Sequence, residues 1–305
     1  MLTFPLSFSP KHSKLGRMSF EHFLQTAWND HAQDSAAVAN RLHEGIALLE
    51  KTEQIPPLAR LVVHVTGEHL GEWDRGLELI EQLRQSAQPP EGSDAESALA
   101  RSKAILSLCR GDALPAGFSA SDRVRILATA AGSLASHAQI ATAEKFFREA
   151  NKVARTLGKT DSAQRDLAVT CNNLAAALEE KKDRTFRESE LMLIAAHASR
   201  RQWELAGGWL EVLRAEYRIA MSFLSAGKPS DACRHAELAL EVGVANSAPP
   251  IELFFAEEAH ALAQHARGEE GWRGSVEAAG RHFSAVSPED QAWCEAILGK
   301  LRALE

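Results

Sequence analysis

The chain contains a single tyrosine, Tyr217, and no extended alternation of β-branched with polar residues, so strands are poorly supported over its 305 residues. No apolar run approaches the ~18 residues of a membrane-spanning helix, and no membrane partner is expected. Positive charge is also scarce. The formal net charge is −7 and the pI near 6.0, without a compensating Lys/Arg run, which argues against nucleic acid as a partner. The four cysteines, Cys109, Cys171, Cys233 and Cys294, are widely separated, with neither the close pairing of a zinc ribbon nor the density of a secreted scaffold. They are predicted to be buried core thiols in a reducing, cytoplasmic compartment. The opening "MLTFPLSFSPKHSKLGR" places its positive charges after a short apolar run broken by Pro5, the wrong order for a signal peptide. Residues 1–17 are expected to form a disordered tail, with the ordered chain starting at Met18.

What is present in quantity is alanine and leucine at helical spacing, and the expected fold class is all-α. Even "LARLVVHVT" (residues 58–66), where β-branched residues cluster, lacks alternation and reads as helix. Proline and glycine punctuate the pattern at Pro56-Pro57, Pro89-Pro90, Pro115, Pro229, Pro249-Pro250 and Pro288. Start signals stand beside several of these: Ser93 with Glu96, Asp161 with Gln164, and Ser287 before Pro288. Segments one or two helices long between such stops imply helical hairpins.

The hairpins share a grammar. In each first helix an apolar or small residue precedes a small one (Ala130-Ala131, Leu174-Ala175, Ile219-Ala220), and a bulkier residue follows on the same face (Leu134, Leu178, Phe223). After a turn, the second helix presents Ala143, Phe147 and Ala150, then in the next copies Ser189, Leu193 and Ala196, and Ala232, Ala236 and Ala239. Small residues at these places let helices approach closely while bulky ones fill the space beside them. The pattern resembles the tetratricopeptide repeat (TPR). The offsets of 44 residues (Ala130 to Leu174) and 45 residues (Leu174 to Ile219), with "NNLAAAL", are most similar to the longer repeats of the kinesin-light-chain type. The resemblance is best over about 121–243, with a weaker copy over 63–83 in which Gly71 ends the first helix and Gly76 takes the small position. It implies one domain over 18–305, a right-handed superhelical α-α solenoid of TPR-like helical hairpins with degenerate capping helices at both ends.

"VTCNNLAAALEEKKDRT" (residues 169–185) carries two asparagines inside this helical pattern. Leu167, Cys171, Leu174, Ala175 and Leu178 form the apolar stripe, and Asn172 and Asn173 fall outside it. Asparagine is a mediocre helix former, so the pair invites an explanation. The alternatives are a solvated Asn172 with Asn173 fastened to a neighbouring helix end, or a groove in which both amides hold a peptide backbone, as the TPR resemblance implies. Arg125, Arg214, Tyr217 and Arg218 occupy matching or adjacent positions in flanking repeats, and a cationic, partly aromatic strip there would favour an acidic peptide. The carboxylate-clamp residues that grip chaperone tails are absent, since Ala128 and Gly132 stand in their places. Chaperone binding is not expected.

Signs of other chemistry are few, and no cofactor or metal is expected. "LGKTD" (residues 157–161) ends like a phosphate loop but has Val153 where the first glycine belongs. Glu257 and His260 have the i, i+3 spacing of a di-iron half-site, but no other histidine has a glutamate three residues before it. His64 and His69 are five apart and on an α-helix would point to different faces. No serine sits in a nucleophile elbow, and no cysteine has activating neighbours. The tryptophans are expected to be wedges between helices, and Glu180 and Arg184 an i, i+4 pair in a solvated helix end. The leading expectation is a non-enzymatic protein-protein interaction scaffold that binds a peptide or protein segment in its groove. A regulatory sensor for a small peptide or metabolite, and an enzyme with an unrecognised site, are the alternatives.

Overall fold

The computed structural model describes residues 19–304, so the expectations for residues 1–17 and for a start at Met18 lie outside the described residues. Fourteen α-helices, one 3-10 turn and one π-helix, and no strand, occur among them. They fall into two compact units, divided between Arg155 and Thr156.

The N-terminal unit contains α1 (Phe20–Asp30), α2 (Ser35–Ala47), α3 (Ile55–Val62), a π-helix (Val63–His69), α4 (Trp73–Ala87), α5 (Asp94–Arg110), α6 (Ala120–Ser136) and α7 (Ile140–Ala154). The segment read as helix over 58–66 is helical, but it changes pitch at Val63. Leu70 N–H bonds the Val65 carbonyl at 3.2 Å, a bond spanning five residues. The π-helix packs against α2, α3, α4, α5 and α6, and its Val63, Val65, Thr66 and Gly67 are buried. Gly76 permits this crowding: a Cβ there would run into Thr66 Oγ1 and Leu106. Gly71, at φ +66, supplies the left-handed residue after the π-helix.

The C-terminal unit contains α8 (Ser162–Glu180), α9 (Phe186–Ala206), α10 (Trp209–Ser225), α11 (Pro229–Ala245), α12 (Pro250–Ala266), α13 (Trp272–Phe283) and α14 (Pro288–Arg302). Each helix from α8 to α13 packs on the next one described in this unit, and α10 also touches α8 and α12. Proline at the first position opens α11, α12 and α14, where a missing N–H costs nothing. Thr185 and Glu188 form a full capping box at α9. The predicted close contacts are buried: Ala143 and Ala150 in α7, Ala232, Ala236 and Ala239 in α11. In α9 the expected register is displaced. Ala196 is buried as expected, but Ser189 and Leu193 are half-buried, and the inner face runs through Glu188, Met192, Ala195, Ala196 and Ser199.

All four cysteines are buried and unpaired. The tryptophan wedges hold in part, since Trp28 and Trp73 pack on histidine rings while Trp209 and Trp293 are partly exposed. Arg184 corrects the surface-pair reading. Its guanidinium donates to the carbonyls of Leu178, Glu179 and Lys181 at 2.7, 2.8 and 3.0 Å, closing the end of α8.

Candidate functional site

On α8 the stripe Leu167, Cys171, Leu174, Ala175 and Leu178 is buried, as its spacing requires. Asn172 is left half-buried and Asn173 exposed. Their amides meet each other at 3.5 Å, the outer limit of a hydrogen bond, and among the described residues neither is fastened to another helix. Val169, 37% exposed, lies one turn before Asn173, and Ala177 one turn after it is exposed too. The result is a ledge of two amides between small apolar groups.

The cationic strip has a different character. In the C-terminal unit Arg214 grips Glu252 with both Nε and Nη2, its Nε reaching the two carboxylate oxygens at 3.1 and 3.0 Å. Arg218, 6% exposed, donates to both oxygens of Glu179 at 3.0 Å, and Ser222 adds a third bond to that carboxylate. Tyr217 is buried and donates to Glu258 at 3.1 Å. In the N-terminal unit Arg125 lies 3.7 Å from Asp122, which also accepts from Arg101 at 2.9 Å. Each predicted cation thus faces a carboxylate of its own unit. Within the C-terminal unit Glu216 receives His235 at 2.6 Å and Arg200 at 2.7 Å; burial works against its charge, but these two donors hold the carboxyl below its ordinary range.

A second constellation escaped the reading by period. His31, at the end of α1, meets His64 and His69 of the π-helix, with ring centroids 4.9 and 5.1 Å from His31 and 4.6 Å between the latter two. His64 and His69 do not point to different faces. The i→i+5 turn brings residues five apart onto one side, and their Nε2 atoms stand 3.1 Å apart. Outer partners hold the rings: His31 Nδ1 bonds the Trp28 carbonyl at 2.5 Å, and His64 Nδ1 bonds the Glu68 carboxylate at 2.7 Å. His31 Nε2 is buried without a partner. Burial, then the neighbouring His64, lowers the His69 imidazole to about 4, and burial is the main cause of the lowered value at His31. Burial alone would raise Glu68, but the hydrogen bond from His64 and the surrounding imidazoles outweigh it, keeping the carboxylate ionised. The signal available in sequence was the close spacing of His64 and His69. The signal that misled was the assumption of α-helical pitch.

A looser group lies in the C-terminal unit, where ligand atoms of Cys233, Glu237 and His260 lie within 4.8 Å of one another. His260 Nδ1 is 3.1 Å from Ser275 Oγ, while burial pushes the Cys233 thiol up, away from thiolate. Glu257, one half of the sequence pair considered with His260, is half-buried and raised by burial. No family model matches the chain, and no curated protein does.

Proposed function

We propose that the chain is a TPR-like protein-interaction scaffold whose C-terminal unit holds an extended, uncharged peptide segment by its backbone along the outer face of α8. The observation that carries this reading is the pair Asn172 and Asn173, mid-helix, outside the buried stripe and committed to no other helix. An amide offers two donors and an acceptor, which suits a peptide unit of any side chain. Val169 and Ala177 flank the pair and leave room for the segment. An acidic segment is the less suitable occupant, because Arg125, Arg214, Tyr217 and Arg218 already face carboxylates of the chain.

The test is the double substitution Asn172→Ala, Asn173→Ala, used in affinity capture from native lysate beside the unaltered protein. Alanine is the better helix former, so stability should be unchanged or higher by a few tenths of a kcal/mol per site. A retained partner should be lost or bound about tenfold more weakly, the value of one hydrogen bond of roughly 1.4 kcal/mol. Destabilisation of ~2 kcal/mol or more would identify the asparagines as interior fasteners and remove the proposal.

A further inference from the structure

We propose that His31, His64 and His69 bind one divalent transition-metal cation of the zinc class through their Nε2 atoms, leaving a fourth coordination position to water or another small ligand. The proposal is independent of the peptide ledge: it concerns the other unit and different chemistry.

The outer hydrogen bonds decide which nitrogens are available. A carbonyl can only accept, so His31 Nδ1 carries the proton toward Trp28, and its Nε2 is left as a lone pair. The Glu68 carboxylate, 2.7 Å from His64 Nδ1, does the same for His64. Carbonyl or carboxylate on one ring nitrogen with a lone pair on the other is the arrangement that orients histidine for a metal. In its absence, a proton on His69 Nε2 can satisfy His64 Nε2 across 3.1 Å. It does not account for His31, 8% exposed, whose Nε2 is buried without any partner.

Distance agrees with the chemistry. One ring nitrogen from each histidine lies within 4.8 Å of the others. Ligands at ~2.0–2.1 Å on a tetrahedral ion lie ~3.3 Å apart, close to the His64–His69 separation. Rotation of partly exposed rings would bring in the third. Three neutral nitrogen donors suit Zn²⁺, Co²⁺, Ni²⁺ or Cu²⁺, whereas Ca²⁺ and Mg²⁺ require oxygen. Because His64 and His69 are only half-buried, solvent can reach the fourth position. The π-helix places two of the three ligands on one face, a placement an α-helical pitch would not produce.

Untagged full-length protein, stripped with chelator, is titrated with Zn²⁺ by calorimetry and with Co²⁺ by visible absorption, since tetrahedral Co²⁺ absorbs far more strongly than the octahedral aqueous ion. The expected result is one saturable ion per chain, an intense Co²⁺ band, and a melting temperature that rises with Zn²⁺ concentration. His31→Gln and His69→Gln should each weaken binding more than about 100-fold, and Glu68→Gln, which removes an outer partner, about 10–100-fold. His260→Gln should leave binding unchanged. Circular dichroism checks each variant; if a histidine variant does not fold, Glu68→Gln on the partly exposed rim decides. The proposal is overturned by no saturable binding of either ion, by a weak octahedral Co²⁺ spectrum, by binding that survives His69→Gln or Glu68→Gln at full strength, or by its loss in His260→Gln.

Discussion

Glu258 offers the sharpest test of how the C-terminal unit stores charge. It lies on α12, 8% exposed, and accepts the Tyr217 hydroxyl at 3.1 Å. Burial raises its carboxyl from 4.5 to about 7; the Tyr217 hydrogen bond and Lys300 pull it down, and Glu179 pushes it further up. Burial, aided by Glu258, holds the Tyr217 phenol well above its ordinary range, so the hydroxyl remains a donor throughout. In the unfolded chain Glu258 titrates near 4.5, so between 4.5 and 7 the folded chain retains a proton that the unfolded one loses. The stability associated with a neutral Glu258 is therefore complete below about 4.5 and is lost as pH rises through about 7. At about 1.4 kcal/mol per tenfold change in proton affinity, the loss above that range is about 3 kcal/mol, large against a net stability of roughly 5–15 kcal/mol.

Glu258→Gln removes the titration and keeps an acceptor for Tyr217. Urea melts followed by circular dichroism at pH 5 and pH 8.5 should show the variant gaining about 2–3 kcal/mol on the unaltered chain between the two conditions. Comparing the change across pH, rather than the value at either end, cancels the packing cost of the amide. A variant-minus-parent difference constant to within about 0.5 kcal/mol would show that Glu258 is ionised or solvated in the folded state, and the burial argument would fail.

Ala143→Leu and Ala232→Leu should each destabilise by about 1–3 kcal/mol in denaturant melts, because both alanines are fully buried on the inner faces of their helices; neutral results would displace the repeat register. Gly76→Ala should cost about 1–3 kcal/mol, since its Cβ would collide with Thr66 Oγ1 and press Leu106 at 3.0 Å; a neutral melt with unchanged amide exchange over the π-helix would refute the close-approach argument.

The fold was legible where one period governs a whole segment. Leu167, Cys171, Leu174, Ala175 and Leu178 were placed inward by spacing alone, and the proline starts of α11, α12 and α14 follow from the missing N–H. Alanine and serine gave a weaker signal in α9. Glu188 and Ser189 stand about 100° apart on a wheel, and the Thr185 capping box together with the Lys181 ion pair draws the charged Glu188 inward. Pairing was the least legible level. Arg214, Arg218 and Tyr217 find Glu252, Glu179 and Glu258 some 40 positions away, so these side chains read as available in sequence and are paired in the structure. The asparagines remained legible because residues outside the buried stripe, Asn172 half-buried and Asn173 exposed, need no distant partner to be placed.

The histidines show why a periodic reading fails at a particular kind of place. An α-helical wheel assigns His64 and His69 to different faces because it advances each residue by a fixed angle. A π turn, with its i→i+5 bond, is wider than an α turn and swings positions five apart toward the same side, so any site built on it is hidden from the wheel in proportion to its dependence on that turn. Thr66 locks onto the Val62 carbonyl at 2.7 Å, Gly76 makes room beside it, and His137 Nε2 lies 2.9 Å from the Gly67 carbonyl. These contacts come from three different elements and hold the wide turn in place. A helix that departs from its preferred pitch keeps that departure only where the surroundings enforce it, and here the enforced face is the one on which two imidazoles converge upon a third.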